Sequence, residues 1–196
     1  MQQNLKNSLC IFLFIFWLTP FAHAGTLEDI QGRYKHVHDF IVMFAQDTYQ
    51  GLVDKRINFT GKVSYLRDVG VRMDVYEPQR QVIVLKDQTV WIHLPDENTT
   101  TSQELPKEIA SQNILGFFSG LNTVEEDYTV EDTAEGLILH PKGGTGFISI
   151  ETDETNLLKK ILLKDAAGNS SSIVLSDYRF DTGVGNDLFI LTGQPE

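Results

Sequence analysis

Beyond about residue 38 the chain keeps a period of two, and that period limits most of it to sheet. Phe40, Val42 and Phe44 share one parity, and the pattern returns in Phe59, Gly61, Val63 and Tyr65, in Val71, Met73 and Val75, and in Val90, Ile92 and Leu94. Val82-Ile83-Val84-Leu85 is apolar throughout. Side chains two apart on an extended chain point to the same face. The segments are also rich in β-branched and aromatic residues, so each is predicted to be a strand with at least one buried face. The short connections set the topology. Asp68-Val69-Gly70 and Lys86-Asp87-Gln88 are turn-sized, whereas a parallel crossover takes a dozen or more residues. An antiparallel meander is expected.

The rest of the chain completes this plan. Thr26-x-x-Asp29 has the form of a helix capping box, and Leu27, Ile30, Tyr34 and Val37 follow at helical spacing. Residues 95–104 read as a polar loop. A second helix is expected across Ala110, Ile114, Phe117, Phe118 and Leu121, weakened by Gly116 and Gly120. Val124 to Val130 is acidic with little pattern. Strands resume at Leu137–Leu139, Phe147–Ile150, Leu157–Leu163 and Ile173–Phe180, with a last short one at Leu188–Leu191. Gly143-Gly144-Thr145-Gly146 and Asp165-Ala166-Ala167-Gly168-Asn169 are turns between them.

Twelve Phe, six Tyr and two Trp are spread over thin strands and short helices. An antiparallel sheet with one apolar face needs a cover, and the two amphipathic helices can supply it. A loosely packed cover would enclose a pocket for apolar ligands; a tight one would make an ordinary filled core. Both readings stand at this level.

The first residues have a different purpose. Lys6 precedes an apolar run from Leu9 to Leu18, and Ala22-His23-Ala24 follows. A basic start, a short hydrophobic core and an A-x-A site make a secretory signal peptide over 1–24, cleaved after Ala24. The run is too short for the roughly 20 residues that span a bilayer. Cleavage leaves one domain, 25–196, of about 172 of the 196 residues. Cys10, the sole cysteine, departs with the signal, so no disulfide braces the fold. Gly25 follows the cleavage site where a lipid-anchored protein would need cysteine. The net charge of −11 becomes −12 once Lys6 is gone, which disfavours nucleic-acid partners.

Catalytic signatures are missing. Gly116-Phe117-Phe118-Ser119-Gly120 carries its serine one place too late for G-x-S-x-G. His36-x-His38 offers two imidazoles where a metal site needs three or four ligands. The glycines at 143–146 lack the strand–helix setting of a phosphate loop. No enzymatic activity, cofactor or metal is expected.

The order of segments and several motifs resemble the LolA family, the periplasmic lipoprotein carriers of Gram-negative bacteria. Phe40, Phe44 and Gln46 match that family's Phe-x-x-x-Phe strand ending in Gln, and Gly61, Val63, Tyr65 and Arg67 in Gly61-Lys62-Val63-Ser64-Tyr65-Leu66-Arg67 match its strand of glycine, aliphatic, aromatic and arginine. The run from Gln81 to Pro95, with Val84, Asp87, Val90, Trp91 and Ile92 in place, is the most specific element. Departures mark a divergent member: Asp68 stands for a proline, Val71 and Met73 for Phe and Trp, Gln88 for a turn glycine and His93 for an aromatic. They make the lining less aromatic.

The resemblance implies an α+β, mainly β fold: an unclosed antiparallel barrel whose lid of short helices covers a hydrophobic cavity. It implies a periplasmic, monomeric chaperone that carries lipoprotein acyl chains from the inner to the outer membrane. By the same resemblance an inner-membrane lipoprotein-releasing ABC transporter is the donor and an outer-membrane receptor the acceptor. Arg67 falls on the family's lid-gating arginine. Tyr34, Val37, Phe40, Phe44, Val71, Met73, Ile114 and Phe117 fall on candidate lipid-lining positions. The alternatives are a carrier for a non-lipoprotein lipid and a lipoprotein-sensing interaction module.

Overall fold

The computed structural model describes residues 26–86, 88–104 and 124–191. Helix α1, Leu27–Tyr34, opens on the expected capping box: the Asp29 N–H donates to Thr26 Oγ1, and the Asp29 carboxylate accepts from the Thr26 N–H. Six strands follow: β1 Asp39–Gln50, β2 Lys55–Leu66, β3 Gly70–Glu77, β4 Gln81–Lys86, β5 Thr89–Leu94 and β6 Thr99–Glu104. A short helix α2, Val124–Asp127, leads to β7 Tyr128–Asp132, β8 Gly136–Pro141, β9 Gly146–Thr152, β10 Leu158–Asp165 and β11 Ser170–Phe180.

All eleven strands form one antiparallel sheet in the order β6-β5-β4-β3-β2-β1-β11-β10-β9-β8-β7. Two meanders are joined where β1 pairs with β11, and among the described residues β6 and β7 are the two edges. The expected mainly-β, unclosed architecture is therefore present.

Register gathers the period-two residues on one face. Val42 lies opposite Val63, Val63 opposite Met73, Met73 opposite Ile83, and Ile83 opposite Ile92. On the other side of β1 the row runs Ile173, Ile161, Ile150, Leu137. These residues and their neighbours form one cluster with Leu27, Ile30 and Tyr34, so α1 packs its apolar stripe on this face.

Five readings of the sequence need correction or fall outside the described residues. Residues 99–104, expected in a loop, form β6; it is an exposed edge strand of Thr and Ser, so it shows no apolar alternation. Residues 124–132 hold α2 and the opposite edge β7, where Tyr128 and Val130 are too few to reveal the period. Leu188–Leu191, expected as a strand, contains instead a 3-10 turn at Asn186–Phe189. That segment crosses the back of the sheet: Phe189 is fully buried with Leu66, Val84 and Leu191. Arg72 Nη1 donates to the Leu188 carbonyl at 2.7 Å, an acceptor that a ladder would otherwise use. The signal peptide and the helix expected over 110–121 lie outside the described residues.

The back segment is moored by Asp39. Its Oδ1 accepts from the Thr182 N–H at 2.7 Å and from the Thr182 hydroxyl. Burial alone would raise the carboxyl pKa, but the hydrogen bonds from Thr182, Gly183 and Val184 outweigh it and hold the group below its usual 3.8. A carboxylate depressed in the folded state adds stability above its unfolded pKa, and that stability is lost as pH falls through the folded value. Stability is therefore expected to fall below about pH 4. Asp39→Asn should flatten this part of a melting-temperature profile; an unchanged profile would contradict the mooring.

Candidate functional site

The most specific geometry lies where α1 meets β1. The last carbonyls of a helix have no partner within it, and they carry the negative end of its dipole. Arg67, in the turn after β2, reaches the end of α1 and the segment that follows it: Nε donates to the Val37 carbonyl at 2.9 Å, and Nη2 donates to the Tyr34 carbonyl, the last of the helix, at 2.9 Å and to the Val37 carbonyl at 2.6 Å. Its own N–H donates to the His38 carbonyl, which fixes the base of the side chain. A guanidinium suits this place because it presents several donors in one rigid fork.

The other side of the same helical turn is held by phenols. Tyr34 Oη accepts from the Leu158 N–H at 3.2 Å and donates to Tyr178 Oη at 3.3 Å, and Tyr178 Oη donates to the Leu158 carbonyl at 2.9 Å. Burial raises both phenols above their ordinary value, Tyr178 far more strongly, so both keep their protons at any physiological pH. Beneath α1 the Phe40 ring stacks on Tyr65 at 5.0 Å and meets Tyr34 edge-on at 6.0 Å. Tyr178 stacks on Phe180 at 5.6 Å, and the Arg33 guanidinium sits 4.7 Å over the Phe180 ring.

Tyr34, Val37, Phe40, Phe44, Val71 and Met73, named from the sequence, all fall in the one buried cluster under and beside α1. Ile114 and Phe117 lie outside the described residues. Sequence reasoning passed over Tyr178 and Phe180, and a bulge explains why. Across β1, Phe40 pairs with Phe180 but Met43 with Ser176, so β11 has one residue more than β1 over this stretch. Asp177 takes a left-handed conformation there, with φ 55°. An extra residue exchanges the faces of a strand, so the inward parity changes from Ile173 and Leu175 to Tyr178 and Phe180. The sequence signal was the break in parity at Asp177.

The arrangement is a broad apolar sheet face with a small helix laid on it, held at its C-terminal end by hydrogen bonds to Arg67 in the turn after β2, to the Leu158 backbone on β10 and to Tyr178 on β11. Such a cover can be detached without breaking any strand pair.

A family model described as outer membrane lipoprotein carrier protein LolA matches residues 35–192, a span that includes Arg67 and every strand. An outer-membrane lipoprotein carrier protein of Dechloromonas aromatica is 25% identical over 181 residues, covering 89% of this chain and 85% of that protein. One from Actinobacillus pleuropneumoniae serotype 7 is 25% identical over 194 residues, covering 96% and 90%. Among solved structures, a LolA superfamily protein from Nitrosomonas europaea superposes with a TM-score of 0.50 at 13% identity, covering 86% of this chain and 99% of that one. The sheet order and the matched span lead to one conclusion: this chain belongs to the LolA family of outer membrane lipoprotein carrier proteins.

Proposed function

We propose that this protein is a periplasmic, non-enzymatic carrier that shields lipoprotein acyl chains against its apolar sheet face between the inner and the outer membrane. The observation that carries the reading is the Arg67 fork on the carbonyls of Tyr34 and Val37. It makes α1 a latched cover over an apolar surface, where a helix in an ordinary core needs no such latch.

Magnitudes favour opening by cargo. Each methylene removed from water contributes about 0.8 kcal/mol, so a chain of a dozen methylenes gains roughly 10 kcal/mol. A hydrogen bond from a charged group contributes about 1.5–3 kcal/mol net, so the whole latch is worth less than the burial of one chain. Cargo that binds only the open form shifts the equilibrium toward it, and loss of the cargo lets the latch re-form. On this reading Tyr34, Val37, Phe40, Phe44, Val71 and Met73 pass from core to lining when α1 lifts. The donor would be an inner-membrane ATP-driven lipoprotein-releasing complex and the acceptor an outer-membrane receptor.

The test is titration of the mature protein with an apolar fluorophore. One-to-one saturable binding, displaced by an acylated peptide, is expected. Binding that neither saturates nor is displaced would sink the proposal.

A further inference from the structure

The apolar face changes character at the end away from α1. Along β1 the inward residues run Phe40, Val42, Phe44 and then Gln46 and Thr48. Across β11 the inward partner of Thr48 is Ser171, and Leu163 and Ile148 continue that row on β10 and β9. An open cavity of about 170 Å³ lies here, lined by Thr48 and Ser171 and by Tyr128, Phe147, Ile148 and Leu163.

The hydrogen bonds of the polar residues leave a remainder. Gln46 Nε2 donates to Thr48 Oγ1 at 2.9 Å and to Ser171 Oγ at 3.4 Å, and the two hydroxyls are 2.8 Å apart. Each hydroxyl has one proton to donate. One proton is used within the pair, so one O–H is left over within this group of three side chains and is available to a ligand in the cavity. The rim charges cancel: Lys164 lies over the Phe147 ring, and beside it the Asp165 carboxylate accepts from the N–H and the amide of Asn169. A spare hydroxyl donor, apolar lining residues and a rim without net charge suit an uncharged acceptor attached to a hydrocarbon chain.

We infer that this cavity is a subsite for the ester or amide carbonyl that joins an acyl chain to its head group, with the first methylenes lying on Leu163 and Ile148. The inference rests on the carrier reading above and adds to it the chemistry recognised at the polar end of the cargo. The carbonyl accepts from the Thr48–Ser171 pair, and the chain then continues along the apolar face toward α1.

The test compares methyl laurate, dodecane and laurate as competitors for a bound fluorophore on the full mature protein. The Thr48→Val/Ser171→Ala double variant is expected to bind methyl laurate about tenfold more weakly, the loss of one hydrogen bond, with dodecane changed less than twofold. Should the double variant not fold, Ser171→Ala keeps the Gln46–Thr48 bond and should show a loss of about threefold for the ester alone. Equal losses for ester and alkane, or tighter binding of laurate than of its methyl ester to the parent, would overturn the subsite and leave the carrier reading intact. Failure of all three to bind the parent would overturn both.

Discussion

The Arg67→Leu variant is expected to keep its cargo where the parent lets it go, with release slowed by a factor of ten to a hundred. The closed form has three hydrogen bonds from this guanidinium to the carbonyls of Tyr34 and Val37. Leucine makes none of them and leaves the helix end without its cation. In the proposed mechanism the open, loaded form has no such bonds to lose, so the substitution acts on the closed state alone. A ligand that binds a minor state has its apparent affinity reduced by the population of that state. Removing about 2 kcal/mol from the closed state therefore raises affinity at least tenfold. Arg67→Lys should fall between the two, because an ammonium is a point charge and lacks the fork. Stopped-flow release of a fluorescent acylated peptide reads all three. Equal release rates in parent and Arg67→Leu would remove the gate from the mechanism.

Gly61→Ala adds a single methyl group and should nevertheless destabilise the fold strongly. A β-carbon at this position would lie 2.0 Å from the Asp74 carbonyl oxygen and 2.7 Å from Cε1 of Phe44. The first of these is backbone, in the strand to which β2 is hydrogen-bonded, and the second is a ring packed across Gly61 from β1. Neither can yield without moving the middle of the sheet. Overpacking of a core costs about 1–3 kcal/mol and more where backbone must shift. A loss of roughly 4 kcal/mol lowers the melting temperature of a domain this size by about 10 °C. Gly143→Ala is the control: nothing lies within 4 Å of its added carbon, and its melting temperature should stay within about 2 °C of the parent. A Gly61→Ala protein as stable as that control would show that the glycine is there for another reason.

These two positions also mark how far the sequence could be read. Gly61 stands in a strand whose period of two was plain, and the sheet face follows from that period, because burial on one face leaves every second residue apolar. The edges were not legible. β6 is exposed on both faces and β7 is short, so neither needs an apolar repeat. The back segment was mistaken for a strand because Leu188, Phe189, Ile190 and Leu191 have strand composition, while their burial comes from Phe189 and Leu191 on the far side of the sheet. At the site, α1 announced itself through its cap and its stripe. Arg67 did not: one arginine at a turn has no pattern, and it came into view only through the family motif that ends on it. Tyr178 was hidden by the bulge, and the Thr48–Ser171 pair by being polar on a face where apolar residues were sought.

In the proposed function this chain keeps acyl chains out of water on the face that α1 covers. This is tested most directly by incubating the mature protein with vesicles carrying an inserted triacylated lipoprotein and separating soluble from membrane material. A soluble one-to-one complex is expected, in which a photoreactive acyl chain labels peptides containing Phe40, Phe44 and Met73. Lipoprotein that stays wholly with the vesicles even when the releasing transporter and ATP are supplied, or soluble complexes labelled only on the back of the sheet near Phe189, would contradict it.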